Sequence, residues 1–329
     1  MLPFILRSHR PLRHASHCVI DTAHILSFSR SGSTLLNLIL GSHSQAVAVG
    51  EITHLPKNLA LDTVCTCGVA VRTCPFWMPI IDVLSTRIAA DLRRNPYALE
   101  LGFINASTVV DHARQTKAYR ALWRLRHGAI YFGYTTGMSI PAAGRRRFDL
   151  GIEHTRLLFE AIREASGANV VVDASKVYMK GVGLYVRDPQ NNRVFLLSRD
   201  GRAVMYSHLR SGFERHAAVM GWKNYYVRTL ALLERCVRRE HVLRVTYERL
   251  ISDPDSEARR SCEFLGLQFE PAMLDFRAKV HHITNGNDMR LASSRKIVAD
   301  NAWQTELSAA DLAYFERSAG PLNRLLGYE

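Results

Sequence analysis

The chain has 329 residues, 47% hydrophobic and 22% charged, the composition of a globular protein with a sizeable core, built as one large α/β domain with insertions or as two domains. It holds no run of about 18 or more uncharged apolar residues, so no transmembrane helix is expected, and no internal repeat or low-complexity tract is apparent. Its net charge of +13 favours polyanionic partners: nucleic acid, nucleotides, anionic glycans or a membrane surface.

Residues 1–20 carry Arg7, Arg10 and Arg13 and no acid. Their apolar piece, Leu2 to Leu6, is too short and precedes the charges, so it does not read as a secretory signal; a poorly ordered end is expected. HILSF (24–28) reads as the first strand, and Thr34 to Leu40 as the helix after it. Between them stand Ser29-Arg30-Ser31-Gly32-Ser33-Thr34. Successive backbone N–H groups in such a turn, with the helix N-terminus, form an anion cradle. Gly32 lets the backbone approach the anion, and Ser33 and Thr34 add hydroxyl donors. A Walker loop, GxxxxGK[ST], would place Lys at the Ser33 position and Gly at Ser27; here the positive charge has moved to Arg30. AVAV (46–49) reads as a second strand. The carboxylate of Glu51, following Gly50, faces the same crevice or serves as a helix cap.

About 120 residues without a strand-like run follow, a mostly helical insertion over about 55–165. Helical patterns run from Phe76 to Leu92, Val109 to Arg126 and Ile152 to Ala165. Between Arg114 and Arg147 lie eight Lys/Arg and no Asp/Glu. Lys117, Arg120 and Arg124 share one helical face, either a solvated face or a surface that collects an anionic acceptor or rests on a membrane. Cys65, Cys67 and Cys74 cluster in CTCGVAVRTCPFW. Zinc takes about four ligands, commonly from CxxC pairs. With three cysteines and a C-x-C pair, a disulfide or plain packing is the expectation. Cys18, Cys236 and Cys262 read as structural thiols.

NVVVD (169–173), RVFLLS (193–198) and HVLRVT (241–246) complete five apolar, β-branched runs, each followed by a helix-like stretch. Later helical patterns run from Ala217 to Arg239, Ser256 to Leu265 and Ser308 to Leu326. Such βα alternation indicates a parallel sheet, and runs apolar throughout suit strands covered on both faces. Ligands of such sheets bind at the carboxyl ends of the strands. Lys176 follows the third strand, aimed at the crevice or merely exposed. Arg199 ends the fourth, and Ser207 stands two turns into the next helix, so both can reach one anion. Tyr247 follows the fifth, where it could meet a base.

The chain resembles the sulfotransferases that use 3′-phosphoadenosine 5′-phosphosulfate. The resemblance lies in RSGSTLL at 30–36, SRDGRAVMYS at 198–207 and VTYERLISDP at 245–254, with NGNDMR at 285–290, Trp303 and the closing LLGY at 325–328. It implies a P-loop-like three-layer α/β fold with a central parallel sheet of about five strands, in a single domain over 21–329. It implies that Arg30, Ser31, Gly32, Ser33 and Thr34 bind the 5′-phosphosulfate, that Arg199 and Ser207 bind the 3′-phosphate, and that Tyr247 contacts adenine. Gly50-Glu51 resembles the branch of tyrosyl-protein and some carbohydrate enzymes, in which the Glu is the general base, with Lys176 assisting at the leaving oxygen; His54 is the next base to consider. The chain departs from the cytosolic aryl and steroid enzymes, which have Lys at Arg30, a catalytic His and a C-terminal Arg-Lys-Gly trio. Arg290, Arg295 and Lys296 are candidates to close over the nucleotide. The expected partner is a hydroxyl-bearing acceptor (glycan, glycolipid, tyrosyl or small molecule), anionic or membrane-associated, and not nucleic acid. No metal is expected in the reaction. The expected compartment is the cytoplasm or a membrane periphery, with a homodimer left open. Two other readings compete: a P-loop kinase or NTPase, and a non-catalytic binder of anionic ligands.

Overall fold

A computed structural model describes residues 20–101, 117–291 and 300–329. The N-terminal segment 1–19, residues 109–116 of the expected helix, Arg295 and Lys296 lie outside them. The five apolar runs form five parallel strands: β1 (Thr22–Leu26), β2 (Ala46–Gly50), β3 (Val170–Asp173), β4 (Asn192–Ser198) and β5 (Val242–Thr246). Their order is β2-β3-β1-β4-β5. The chain therefore leaves β1 for the edge, returns beside it as β3, and crosses to its other side as β4. This reversal opens a crevice at the carboxyl end of β1, where α/β sheets take their ligands.

The side chains of one strand divide between two cores. Val194 and Leu196 of β4 join one buried cluster, Phe195 and Leu197 the other. Successive side chains point to opposite faces, so a strand covered on both faces must be apolar throughout. Helices α1 (Ser33–Gly41) and, later, α10 (Pro254–Leu265) supply one cluster with Leu35, Leu38, Cys262 and Leu265.

The insertion holds α2 (Leu55–Leu61), α3 (Trp77–Arg87), α4 (Lys117–Thr136) and α5 (Ala142–Ser166). Among its described residues the only β pairing is the isolated bridge Val64–Ala70. Helix α4 runs ten residues beyond the expected Arg126, because Ile130 is buried against the core. Helix α5 starts ten residues before the expected Ile152, its extra turns anchored by buried Phe148. Next come α6 (Tyr178–Arg187), α7 (Gly201–Leu209), α8 (Arg215–Cys236), α9 (Tyr247–Ser252), α10, α11 (Trp303–Glu306) and α12 (Ala309–Leu325). No helix among the described residues is long and apolar enough to cross a membrane. The end of the chain braces the β4–α7 corner. Gly201 N–H donates to Asn323 Oδ1 at 2.9 Å, and Tyr328 Oη lies 3.0 Å from Ser198 Oγ.

Candidate active site

The turn after β1 is built for an anion. Gly32 precedes α1 at φ 89°, and no side chain caps the helix. The first N–H groups of α1 are left without intrahelical partners and no acid occupies its first turn. Helix α7 contrasts with it, because Asp200 accepts from Arg202 N–H and closes that N-terminus. Gly32 is also required by its neighbour: a Cβ there would lie 2.4 Å from the Tyr247 ring.

Arg30 has φ 66° and Lys176 φ 63°. Left-handed backbone is uncommon for residues with a Cβ and gathers at functional sites. The third-strand turn is shaped by Asp173, whose Oδ1 accepts from Ser175 N–H at 3.0 Å. This swings Lys176 back over the sheet edge.

Arg30, Gly32, Ser33, Thr34, Lys176, Arg199, Ser207 and Tyr247 line one open cavity of ≈ 260 Å³. The guanidinium of Arg199 is nearly buried. It donates to Arg30 O at 3.2 Å and Asp300 O at 3.0 Å, and stacks 4.5 Å above the Tyr247 ring. Ser31 is the exception within the turn. It is fully buried, with Oγ 3.5 Å from Tyr226 Oη, and supports the loop from beneath.

A second cavity, ≈ 470 Å³, adjoins the first. Glu51, His54, Lys57, Asn58, Phe28, Tyr225 and Asn285 are among the residues lining it, and Lys176 lines both. Lys176 Nζ pairs with Glu51 Oε1, while His54 Nε2 lies 3.5 Å from Glu51 Oε2. Burial alone would raise the Glu51 pKa. The hydrogen bond from His54 and the charge of Lys176 outweigh it and pull the carboxyl down to about 2.

Among the described residues, then, strand-end groups separated by up to some two hundred positions converge on two joined cavities. Arg290 is not among them. It lines a third cavity of ≈ 540 Å³ beside Arg277, Lys279 and His281.

Comparison with known proteins decides the family, since residues 94–271, more than half the chain, match the sulfotransferase family. The chain belongs to the sulfotransferase family. It is similar in structure to the sulfotransferase domain of the Synechococcus PCC 7002 olefin synthase, with 19% identity, TM-score 0.51, and 97% of this chain and 99% of that one covered. It is likewise similar to the sulfotransferase domain from the curacin biosynthetic pathway, with 20% identity, TM-score 0.50 and coverage of 93% and 97%. These likenesses bear on the fold. A search of curated proteins gives no match.

Several residues of the candidate site escaped the sequence reading. Tyr225 Oη donates to Lys176 O at 2.8 Å, and Tyr226 Oη to Leu197 O at 2.8 Å. This aromatic pair on α8 braces both cation-bearing turns. Beneath Lys176, buried Lys180 reaches Asp173 Oδ2 at 2.8 Å, Ser175 Oγ at 2.7 Å and Thr53 Oγ1 at 3.0 Å. Neutral His208, its pKa lowered by burial and by Arg30, holds Ser29 Oγ at 2.9 Å. Asn287 and Met289 line the first cavity; both stand within the NGNDMR stretch, the one available signal. Of the two expectations for the cysteine cluster, a disulfide or plain packing, the disulfide is not formed: Cys65, Cys67 and Cys74 are free, with Sγ–Sγ separations of 3.6 and 3.8 Å.

Proposed function

We propose that the protein transfers a sulfuryl group from 3′-phosphoadenosine 5′-phosphosulfate to a hydroxyl acceptor. The observation that carries this reading is the meeting of the phosphate-loop cavity and the carboxylate cavity at Lys176. The N–H groups at the start of α1 and Arg30 receive the 5′-phosphosulfate. Arg199 and Ser207 take the 3′-phosphate, and Tyr247 lies against adenine. The acceptor enters the second cavity with its hydroxyl at Glu51.

In the transfer, the acceptor oxygen forms a bond to sulfur as the bond from sulfur to the bridging oxygen of the 5′-phosphate breaks. The hydroxyl proton passes to Glu51. The charge that grows on the bridging oxygen is met by Lys176, and Arg30 with the loop amides stabilises the moving group. Positioning and fixed positive charge supply most of the catalysis, as in phosphoryl transfer.

The resting ion pair between Lys176 and Glu51 gives this scheme an order. Paired, Glu51 is too weak a base to be useful. A donor whose bridging oxygen attracts Lys176 removes that stabilising charge, and the Glu51 pKa rises. The base thus gains strength as Lys176 turns to the nucleotide, with His54 still beside its other oxygen.

Incubation with sulfur-labelled donor and a panel of glycans, glycolipids, tyrosyl peptides and small hydroxyl compounds tests the reading. Label transfer with release of adenosine 3′,5′-bisphosphate is expected. Magnesium-dependent ATP turnover without label transfer refutes it, as does equal affinity for nucleotides with and without a 3′-phosphate.

A further inference from the structure

The three cysteines of the insertion gain a fourth partner from far along the chain. His282 Nδ1 lies 3.3 Å from Cys74 Sγ and 3.9 Å from Cys65 Sγ. Cys74 Sγ is 3.6 Å from Cys67 Sγ and 3.8 Å from Cys65 Sγ. All four ligand atoms fall within 4.8 Å of one another. A tetrahedral zinc with Zn–S of about 2.3 Å and Zn–N of about 2.0–2.1 Å has S···S edges of about 3.8 Å and S···N edges of about 3.6 Å. The observed edges scatter around these values, and they are far longer than the S–S bond of about 2.05 Å in a disulfide.

Backbone N–H groups surround the three sulfur atoms. The N–H of Cys67 faces Cys65 Sγ, the N–H of Val69 faces Cys67 Sγ, and those of Phe76 and Trp77 face Cys74 Sγ. Backbone N–H donors of this kind orient sulfur ligands and offset their charge. Gly68, at φ 93°, allows the tight turn that returns Val69 to Cys65, whose N–H donates to Val69 O at 2.8 Å. The imidazole is fixed too. It stacks on Phe76 with centroids 4.6 Å apart and planes 9° from parallel, and the His282 carbonyl accepts from Trp77 Nε1 at 2.9 Å. The CPFW run thus supplies one ligand and both groups that position another.

We infer that Cys65, Cys67, Cys74 and His282 bind one structural zinc ion. Four protein ligands complete the coordination, so the site is closed and has no position for a substrate. None of the four lines either transfer cavity. The zinc instead joins the α2–α3 connection to the segment around 281–289. That segment carries Asn285, whose carbonyl accepts from Glu51 N–H at 3.5 Å, and Asn287 and Met289, which line the first cavity.

The test is elemental analysis of the purified full chain, grown with zinc and handled without chelator. About one zinc per chain is expected, with Cys74→Ser and His282→Ala lowering the occupancy at least several-fold. Because those substitutions also remove side chains that pack in the fold, Cys74 buried and His282 half-buried, the unmodified protein carries a second readout. After chelation and addition of cobalt(II), it should show the visible absorption of tetrahedral, thiolate-ligated cobalt. Metal-free protein with reduced thiols that takes up neither zinc nor cobalt overturns the inference. So does a disulfide among Cys65, Cys67 and Cys74, and iron in place of zinc overturns the choice of metal. None of these readouts depends on sulfuryl transfer.

Discussion

Burial pushes the Glu51 carboxyl up, and His54 and Lys176 pull it further down, to about 2. The same lysine that suppresses the base stands between the two cavities. Glu51→Gln removes the proposed proton acceptor and the partner of Lys176, but leaves the loop after β1, Arg199, Ser207 and Tyr247 unchanged. The rate of label transfer should fall by about 10²–10⁴-fold, while adenosine 3′,5′-bisphosphate, followed by calorimetry, should bind with nearly unchanged affinity. A variant of full activity would reduce Glu51 to a helix cap and move attention to His54. Arg30 offers a different separation, because its backbone, at φ 66°, is unfavourable for any residue with a Cβ. Arg30→Gly relieves about 1 kcal/mol of strain and loses a charge that lines the first cavity. Stability in urea should be unchanged or higher, with turnover lower by about 10²-fold or more. A loss of stability matching the loss of turnover would show that Arg30 acts through the fold instead.

Elements were legible where one physical constraint acted alone. All five strands stood out as mainly apolar, β-branched runs, because burial on two faces admits a polar residue only with a partner, as His24 has in Asn192, or at an exposed edge, as with Arg244 on β5. Helix α6 did not stand out: YMKGVGLYVR contains Gly181 and Gly183, poor helix formers. The fold explains them by close approach, since a Cβ on Gly183 would lie 2.7 Å from Ile152 Cδ1 and one on Gly181 3.1 Å from Leu26 Cδ2. Lys180 in the same helix was hidden for the same reason, as its partner Asp173 belongs to a strand and only the β3–α6 packing joins them. The tyrosines of α8 look like ordinary core residues until their hydroxyls are placed. The β3–α6 junction makes a prediction of its own. Lys180→Met leaves the Asp173 carboxylate buried without its main counter-charge, which costs about 3–5 kcal/mol. Urea unfolding should show that loss, and the double variant Lys180→Met/Asp173→Asn should recover part of it. Equal stability of Lys180→Met and the unmodified protein would mean that water or His24 can replace the lysine.

At the scale of the whole molecule, the order β2-β3-β1-β4-β5 sets what each strand end can touch, and nothing local in the sequence encodes it. The resemblance supplied the roles of Arg199, Ser207 and Tyr247, and the fold places all three around the turn after β1. It could not supply His282, which stands 208 positions from Cys74, because ligand spacing rules see only neighbours in sequence. A site assembled from the ends of β1, β3, β4 and β5 ties ligand binding to the stability of the entire sheet. A ligand at 100 times its dissociation constant stabilises the folded chain by about 2.7 kcal/mol. Adenosine 3′,5′-bisphosphate should therefore raise the melting temperature more than adenosine 5′-phosphate at equal concentration. Arg199→Ala should erase the difference. Losing a charged hydrogen-bond partner of about 1.5–3 kcal/mol weakens the 3′-phosphate contact by about 10- to 100-fold. Arg199 also holds the Arg30 carbonyl, so the variant should weaken the 5′-phosphate nucleotide as well, but by less. If both nucleotides lost affinity equally, Arg199 would be a support for the loop and the 3′-phosphate would have to be held elsewhere.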